Sequence, residues 1–244
     1  MKHYCIILIL FLTANQVLRS QSIENFKDNK GEYLNTYDAT VGLENTGLYN
    51  GIQFKDQSRS ADGTFRFYND GEFTKGTVVF DGQLYKNILL KYDILEDVLI
   101  THSDDDLSIF HLQLVTNKVS YFSIFSKEFV RLKFPDRQIS KLNDFYELLY
   151  KGNSLTLYEK HYKNKKEVLK GTFLAYSYNK ESYFLLENNG KYNIIETIRD
   201  CRKTLPERKE AINDFYNSYK NLYKTDREKF MILLFQTLDN SNFN

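Results

Sequence analysis

From Thr64 to Thr197 the chain reads as short alternating runs of aromatic or aliphatic and polar residues, each closed by Gly, Asn, Asp, Ser or Lys. Period-two alternation over a handful of residues marks half-buried strands. The runs at 64–68, 76–80, 83–92, 97–102, 107–115, 119–125 and 129–134 each predict a strand. Pro135 closes this set, and 136–143 reads as a short helical or irregular bridge. Strands resume at 145–150, 154–162, 168–178, 182–187 and 191–197. Their connections are too short for parallel crossovers, so neighbours are expected to pair antiparallel.

The stretch from Gly76 to Tyr92 organises the body, as two strand-like runs joined at Asp81-Gly82. A two-residue hairpin loop favours a type I′ turn with φ > 0 at both positions, which Asp-Gly tolerates. Val78 and Phe80 share one face, Thr77 and Val79 the other, and Asn87 marks a bulge in the return strand. Gly152-Asn153 and Asn189-Gly190 supply further turns, and the polar run Lys163 to Lys166 reads as a charged hairpin tip. As a patch for an acidic polymer, those four residues would give only a small local field.

Periodicity changes after Thr197. Ala211, Ile212, Phe215, Tyr216, Tyr219, Leu222 and Tyr223 form one helical stripe, and Phe230, Met231, Leu234, Phe235 and Leu238 a second. Thr204 with Glu207, and Thr225 with Glu228, have capping-box spacing. The break at Tyr223-Lys224 predicts an antiparallel helix pair whose apolar faces cover the sheet, or else form a partner-binding groove. The fold expected is mainly β with C-terminal helices (α+β): consecutive antiparallel hairpins with a helical hairpin packed on the sheet.

The N-terminus differs again. Lys2 precedes an unbroken apolar run from Cys5 to Leu12, long enough for a signal-peptide core and too short for a membrane span. Residues 1–20 are therefore expected to be a cleaved signal peptide, with the cut near Ser20-Gln21, and the mature protein to be periplasmic or secreted. Residues 21–63 read as an irregular lead-in with one short strand at 52–54. The β-rich body spans 64–198, in two halves meeting near 135–144, and the helical hairpin 199–240.

Cleavage would leave 31 basic against 32 acidic residues, a formal charge of −1. A near-neutral chain lacks the positive field on which nonspecific nucleic-acid binding rests, so no nucleic acid is expected as a partner. Cys201 would be the one remaining cysteine, which rules out an internal disulfide framework. It reads as a small, partly buried residue near a helix start, or as a nucleophile with no adjacent base. Tyr and Phe make up the whole 16% aromatic share, which supplies core and cross-strand packing or a ligand platform.

No phosphate loop, nucleophile elbow, HExxH or CxxC occurs. His102, His111 and His161 are spread over strand and loop positions, with His111 on the surface face of its strand. Asp104 to Asp106 is the one acidic cluster; it lacks the ligand spacing of an EF-hand and reads as a solvated turn. No catalytic, cofactor-binding or metal-binding residue is assigned, and no cofactor is expected. The function class this leaves is a noncatalytic exported module binding a protein, glycan or envelope component. The alternative is a hydrolase with dispersed catalytic carboxylates, whose pairing in space a sequence does not display.

Several strings carry a resemblance. Leu48-Tyr49-Asn50-Gly51, then Gly76-Thr77-Val78 with Phe80-Asp81-Gly82-Gln83-Leu84-Tyr85, then Leu90-Lys91-Tyr92-Asp93 resemble a group of exported proteins of Bacteroidota-type bacteria with no known activity. In that group a signal peptide precedes a YDGQ-Y-like hairpin, an L-YD element, an FYE-LY-G segment and a charged helical tail. The last two correspond to Phe145-Tyr146-Glu147 with Leu149-Tyr150-Lys151-Gly152, and to 203–240; Phe80 stands where the group has Tyr. The resemblance implies a Gram-negative envelope or extracellular location and carries no activity across.

Overall fold

The computed structural model describes residues 46–56, 58–69, 71–102, 110–134 and 144–240. The chain divides into two compact units, Met1–Gly47 and Leu48–Asn244. The expected signal segment, most of the lead-in, the Asp104 to Asp106 turn and the bridge at 136–143 lie outside the described residues. No described helix is long and apolar enough to cross a membrane.

The second unit is α+β. Its described strands are β1 (Ile52–Phe54), β2 (Thr74–Phe80), β3 (Gln83–Asp93), β4 (Val98–His102), β5 (His111–Gln113), β6 (Val119–Ile124), β7 (Lys127–Arg131), β8 (Phe145–Lys151), β9 (Leu155–Lys170), β10 (Phe173–Asn188) and β11 (Lys191–Ile195). They form one sheet in the order β1-β5-β4-β3-β2-β6-β7-β8-β9-β10-β11, with every neighbouring pair antiparallel. β5 and β6 stand four places apart in that order. On a flat sheet this is about 19 Å. Residues 114–118, with a 3-10 turn at Thr116–Lys118, reach only about 16 Å. The sheet therefore curls, and hydrogen bonds of 2.8 Å fix the two ends of the connection, Leu114 N to Leu99 O beside β4 and Asp81 N to Lys118 O beside β2.

The organising hairpin forms as its turn chemistry dictates. Phe80 faces Gln83 across Asp81 (φ 52°) and Gly82 (φ 82°). Asn87, at φ 57°, is the extra residue where the register slips between Gly76–Ile88 and Thr77–Lys86. Asn189-Gly190 closes β10–β11 in the same positive-φ manner. Behind the hairpin the ring-rich core assembles edge to face and stacked: Phe122 lies 4.7 Å from Phe129, and Tyr92 5.1 and 5.3 Å from them.

Three expectations fail for identifiable reasons. Residues 163–166 are no hairpin tip; they continue β9, paired with 177–180, and the chain reverses at Gly171-Thr172 inside the run expected to be one strand. A strand accommodates lysines where their long stems reach other partners, here the Phe65 carbonyl for Lys163 and the Tyr176 ring for Lys165, so polarity there does not signal a turn. Residues 64–68 form no strand beyond an isolated bridge from Phe67 to Asp93. Instead, the preceding segment lies against the free edge of β10, where Ala61 N donates to Tyr176 O and Tyr176 N to Arg59 O.

The helical hairpin proves to be four helices: α1 (Ile198–Thr204), α2 (Lys209–Ser218), α3 (Lys220–Thr225) and α4 (Arg227–Asn240). The capping box belongs to Thr197, the N-cap of α1, and Asp200 in its first turn, because Thr204 already ends that helix. A 3-10 turn opened by Pro206 leads into α2, and Asp226 caps α4 by accepting from Lys229 N at 2.9 Å. Buried Ile212, Phe230, Leu234, Phe235 and Leu238 pack on Leu155, Leu157, Phe184 and Leu186, so the helices cover one face of the C-terminal strands. Cys201 belongs to this core and is fully buried, not partly so.

Candidate functional site

Charged residues reach the interior at one place on that covered face. Along β9, Leu155, Leu157, Glu159 and His161 alternate toward the same side. Glu147 in β8 lies opposite Glu159, and Ser182 in β10 opposite His161. Glu147, Glu159 and His161 are 3, 5 and 4% exposed. His161 Nε2 is 2.7 Å from Glu147 Oε2 and 3.8 Å from Glu159 Oε2.

A shell of polar and aromatic groups surrounds the three. Lys127, one residue past the β6–β7 turn, donates to Glu147 Oε1 at 2.6 Å and to Glu228 Oε1 of α4 at 3.3 Å. The Tyr68 hydroxyl donates to Glu147 Oε2 at 3.1 Å, while its ring meets His161 edge to face at 5.0 Å and Phe129 at 5.2 Å. Lys180 lies over the Tyr68 ring, 4.9 Å from its centre.

Two carboxylates a strand apart differ in environment. Burial pushes the Glu147 carboxyl up, but hydrogen bonds from His161 and Lys127, with their charges, outweigh it and hold the group below the ordinary range. For Glu159 burial wins over the pull of His161 and the Ser182 hydroxyl, and its carboxyl is raised. Burial and the Glu147 charge together raise the Tyr68 hydroxyl, which stays a hydrogen-bond donor. Lys127 is raised because Glu147 and Glu228 outweigh its own desolvation. Two of the cluster's polar atoms, Glu159 Oε2 and His161 Nδ1, accept or donate no hydrogen bond. The arrangement can hold protons between a carboxylate and an imidazole, and its donor atoms can meet a cation.

Other buried charges are neutralised locally. Lys160, on the opposite face of β9, reaches Asp97 at 2.6 Å and Asp144 at 3.4 Å, and Asp97 also accepts from the Tyr92 hydroxyl and Phe145 N. Fully buried Asp93 pairs with Arg66 at 2.6 Å. These pairs tie loops to strands.

The histidines are less scattered than their sequence positions suggest. His102 and His111 face each other across β4 and β5, their rings 5.8 Å apart, with Phe73 4.5 and 4.9 Å from them. His111 is exposed, in agreement with its expected surface position. Desolvation, Lys91 and His102 together lower it. The Cys201 thiol is pushed up to about 12, mainly by burial, which removes thiolate character. Sequence reasoning missed the Glu147 cluster, although one signal was present: in β9 two ionisable residues follow two leucines at the inward strand period.

Compared with known proteins, the chain matches no family model, no curated protein and no solved structure.

Proposed function

We propose that this is an exported, noncatalytic binding module of the bacterial envelope or its exterior, in keeping with the Bacteroidota-type resemblance, and that it engages its protein, glycan or envelope component through the β9–β10 ribbon. One observation carries the reading. β8 pairing stops at Glu159 and β11 pairing at Phe184, so 160–183 pair along their length only with each other, apart from the single bridge at Ser60. From residue 163 to the turn the ribbon runs about 27 Å, with residues 59–65 laid along part of it. At its end Leu169 and Leu174 are directly opposite and 74 and 45% exposed, with Phe173 beside them at 44%. Five lysines (163, 165, 166, 170 and 180) against Glu167 give this stretch a positive charge in an almost neutral chain. Exposed apolar groups rimmed by polar residues mark interaction sites.

The test compares the native chain with a Leu169→Ser/Leu174→Ser double variant in crosslinking capture from the native envelope. Loss of the specific crosslinks in a variant that folds and localises normally is the expected result. Equal capture by both would remove the ribbon from the function. Intact mass of host-derived protein tests export, which expects loss of roughly the first twenty residues.

The hydrolase reading draws on one specific feature, the convergence of Glu147 and Glu159 beside His161. All three are nearly inaccessible beneath Tyr68, so a substrate would require that residue to move. Turnover of glycoside or peptide substrates that vanishes in Glu147→Gln, with the fold intact, would favour this reading over binding.

A further inference from the structure

We propose that Glu147, Glu159 and His161 form a binding site for a single divalent transition-metal ion, with Zn2+ as the ion best matched to the donors. One donor atom from each residue lies within 4.8 Å of the other two. The separations from His161 Nε2, 2.7 and 3.8 Å, bracket the ~3.3 Å between neighbouring ligands of a tetrahedral ion with ~2.0 Å bonds. Seating the ion opens the first separation by about 0.6 Å and closes the second by about 0.5 Å, with the two carboxylates, whose donor atoms lie within 4.8 Å, drawn together by side-chain rotation.

The cluster by itself would not establish a site. The independent observation is Glu159 Oε2: it is buried, makes no hydrogen bond and points at His161. A buried carboxylate oxygen without a donor is a costly feature that a bound cation removes. Charge gives the same sign. Glu147, Glu159 and Glu228 against Lys127 leave two negative charges when ionised, which a divalent ion cancels.

The surroundings resemble a ligand-orienting shell. Lys127 holds the far oxygen of Glu147 at 2.6 Å, and the Tyr68 hydroxyl holds the near one at 3.1 Å. Ser182 of β10, opposite His161, stands beside the Glu159 carboxylate. Such outer contacts fix the orientation of carboxylate ligands. An imidazole and only three protein donors suit zinc, whereas calcium takes six to eight oxygens. The fourth tetrahedral position falls to water. β8 and β9 supply all three ligands, so the ion would clamp two neighbouring strands beneath the N-terminal end of α4.

The chain, stripped of metal with EDTA, is titrated with ZnCl2 against a chromophoric chelator while thermal unfolding is followed in parallel. One Zn2+ per chain and a raised midpoint are expected, with Glu159→Gln and His161→Gln each weakening binding at least tenfold. No binding by the native chain, or unchanged affinity in both variants, overturns the proposal and leaves a proton-held ion-pair cluster. Should either variant fail to fold, Co2+ added to the native chain decides. Paramagnetically shifted His161 ring protons support the site, and unshifted ones overturn it.

Discussion

Asp239, in the last turn of α4, places its Oδ2 2.6 Å from the backbone nitrogen of Asn153 in the β8–β9 turn. The same carboxylate accepts from Ser154 N, Ser154 Oγ, Leu155 N and the Tyr150 hydroxyl. One side chain thus anchors the helix to the turn. Gly152 makes room for it, since a Cβ there would collide with Oδ2 and with the Tyr150 ring.

Removing the anchor should cost stability without touching the strand cores. Asp239→Ala is expected to destabilise by about 1–3 kcal/mol, the scale of charge-assisted hydrogen bonds left without their acceptor. Gly152→Ala should cost a similar amount, and the double variant less than the sum, because both changes break one contact. Urea midpoints of the three variants test this; strict additivity would show the two residues act independently.

The same carboxylate gives a pH dependence of known sign. Burial pushes Asp239 up, but the donors from Ser154, Asn153 and Tyr150 outweigh it and hold it below its ordinary value. A group lowered on folding contributes stability that is complete above its unfolded value, near 4, and is lost as pH falls through the folded one. The stability gap between native chain and Asp239→Asn should therefore narrow on going from pH 7 to pH 3. A gap that widens in acid would exclude the anchor as its source.

Gly82 tests the organising turn separately. No heavy atom lies within 4 Å of a Cβ built on it, so substitution meets only the backbone penalty of φ 82°. Gly82→Val is expected to cost more than about 1 kcal/mol, and Gln83→Thr to be nearly neutral. Equal denaturation midpoints would place the strain elsewhere.

Cys201 should be chemically silent. Full burial in the helix–sheet core and a thiol pushed up to about 12 leave neither access nor thiolate. Iodoacetamide at pH 8 is expected to label the unfolded chain and spare the native one. Rapid native labelling would contradict the packing around α1.

What the sequence revealed follows from what is local. Asp81-Gly82, Asn87 and Asn189-Gly190 specify their turns and bulge through backbone conformations that few residues tolerate, and all take positive φ. The reversal at Gly171-Thr172 escaped notice because its flanks are apolar while a true strand interior, 163–166, is polar. The inward alternation of β9 was readable, but Glu147 meets Glu159 only once β8 and β9 pair with a bulge at Leu149. That register depends on contacts 12 residues apart in sequence, which composition does not encode. Helix stripes were legible at α2 and α4; the caps of α1 and α4 were not, since Thr197 and Asp226 compete with equally suitable Thr204 and Thr225.

The strand order has a consequence in time. From β6 to β11 each strand pairs with its successor, whereas β1 must find β5 across Ile52–Gln113 and β2 must find β6 across Thr77–Ser123. Closing such loops costs entropy before their contacts offset it. The C-terminal meander should then zip up first and present β6 as a ready template, and pulse-labelled amides in β9 and β10 should gain protection before those in β1; simultaneous protection would refute the order. A ribosome, however, delivers β1 and β2 first. β2 can close on β3 at once, but β1 and the second edge of β2 stay open until β5 and β6 have been made.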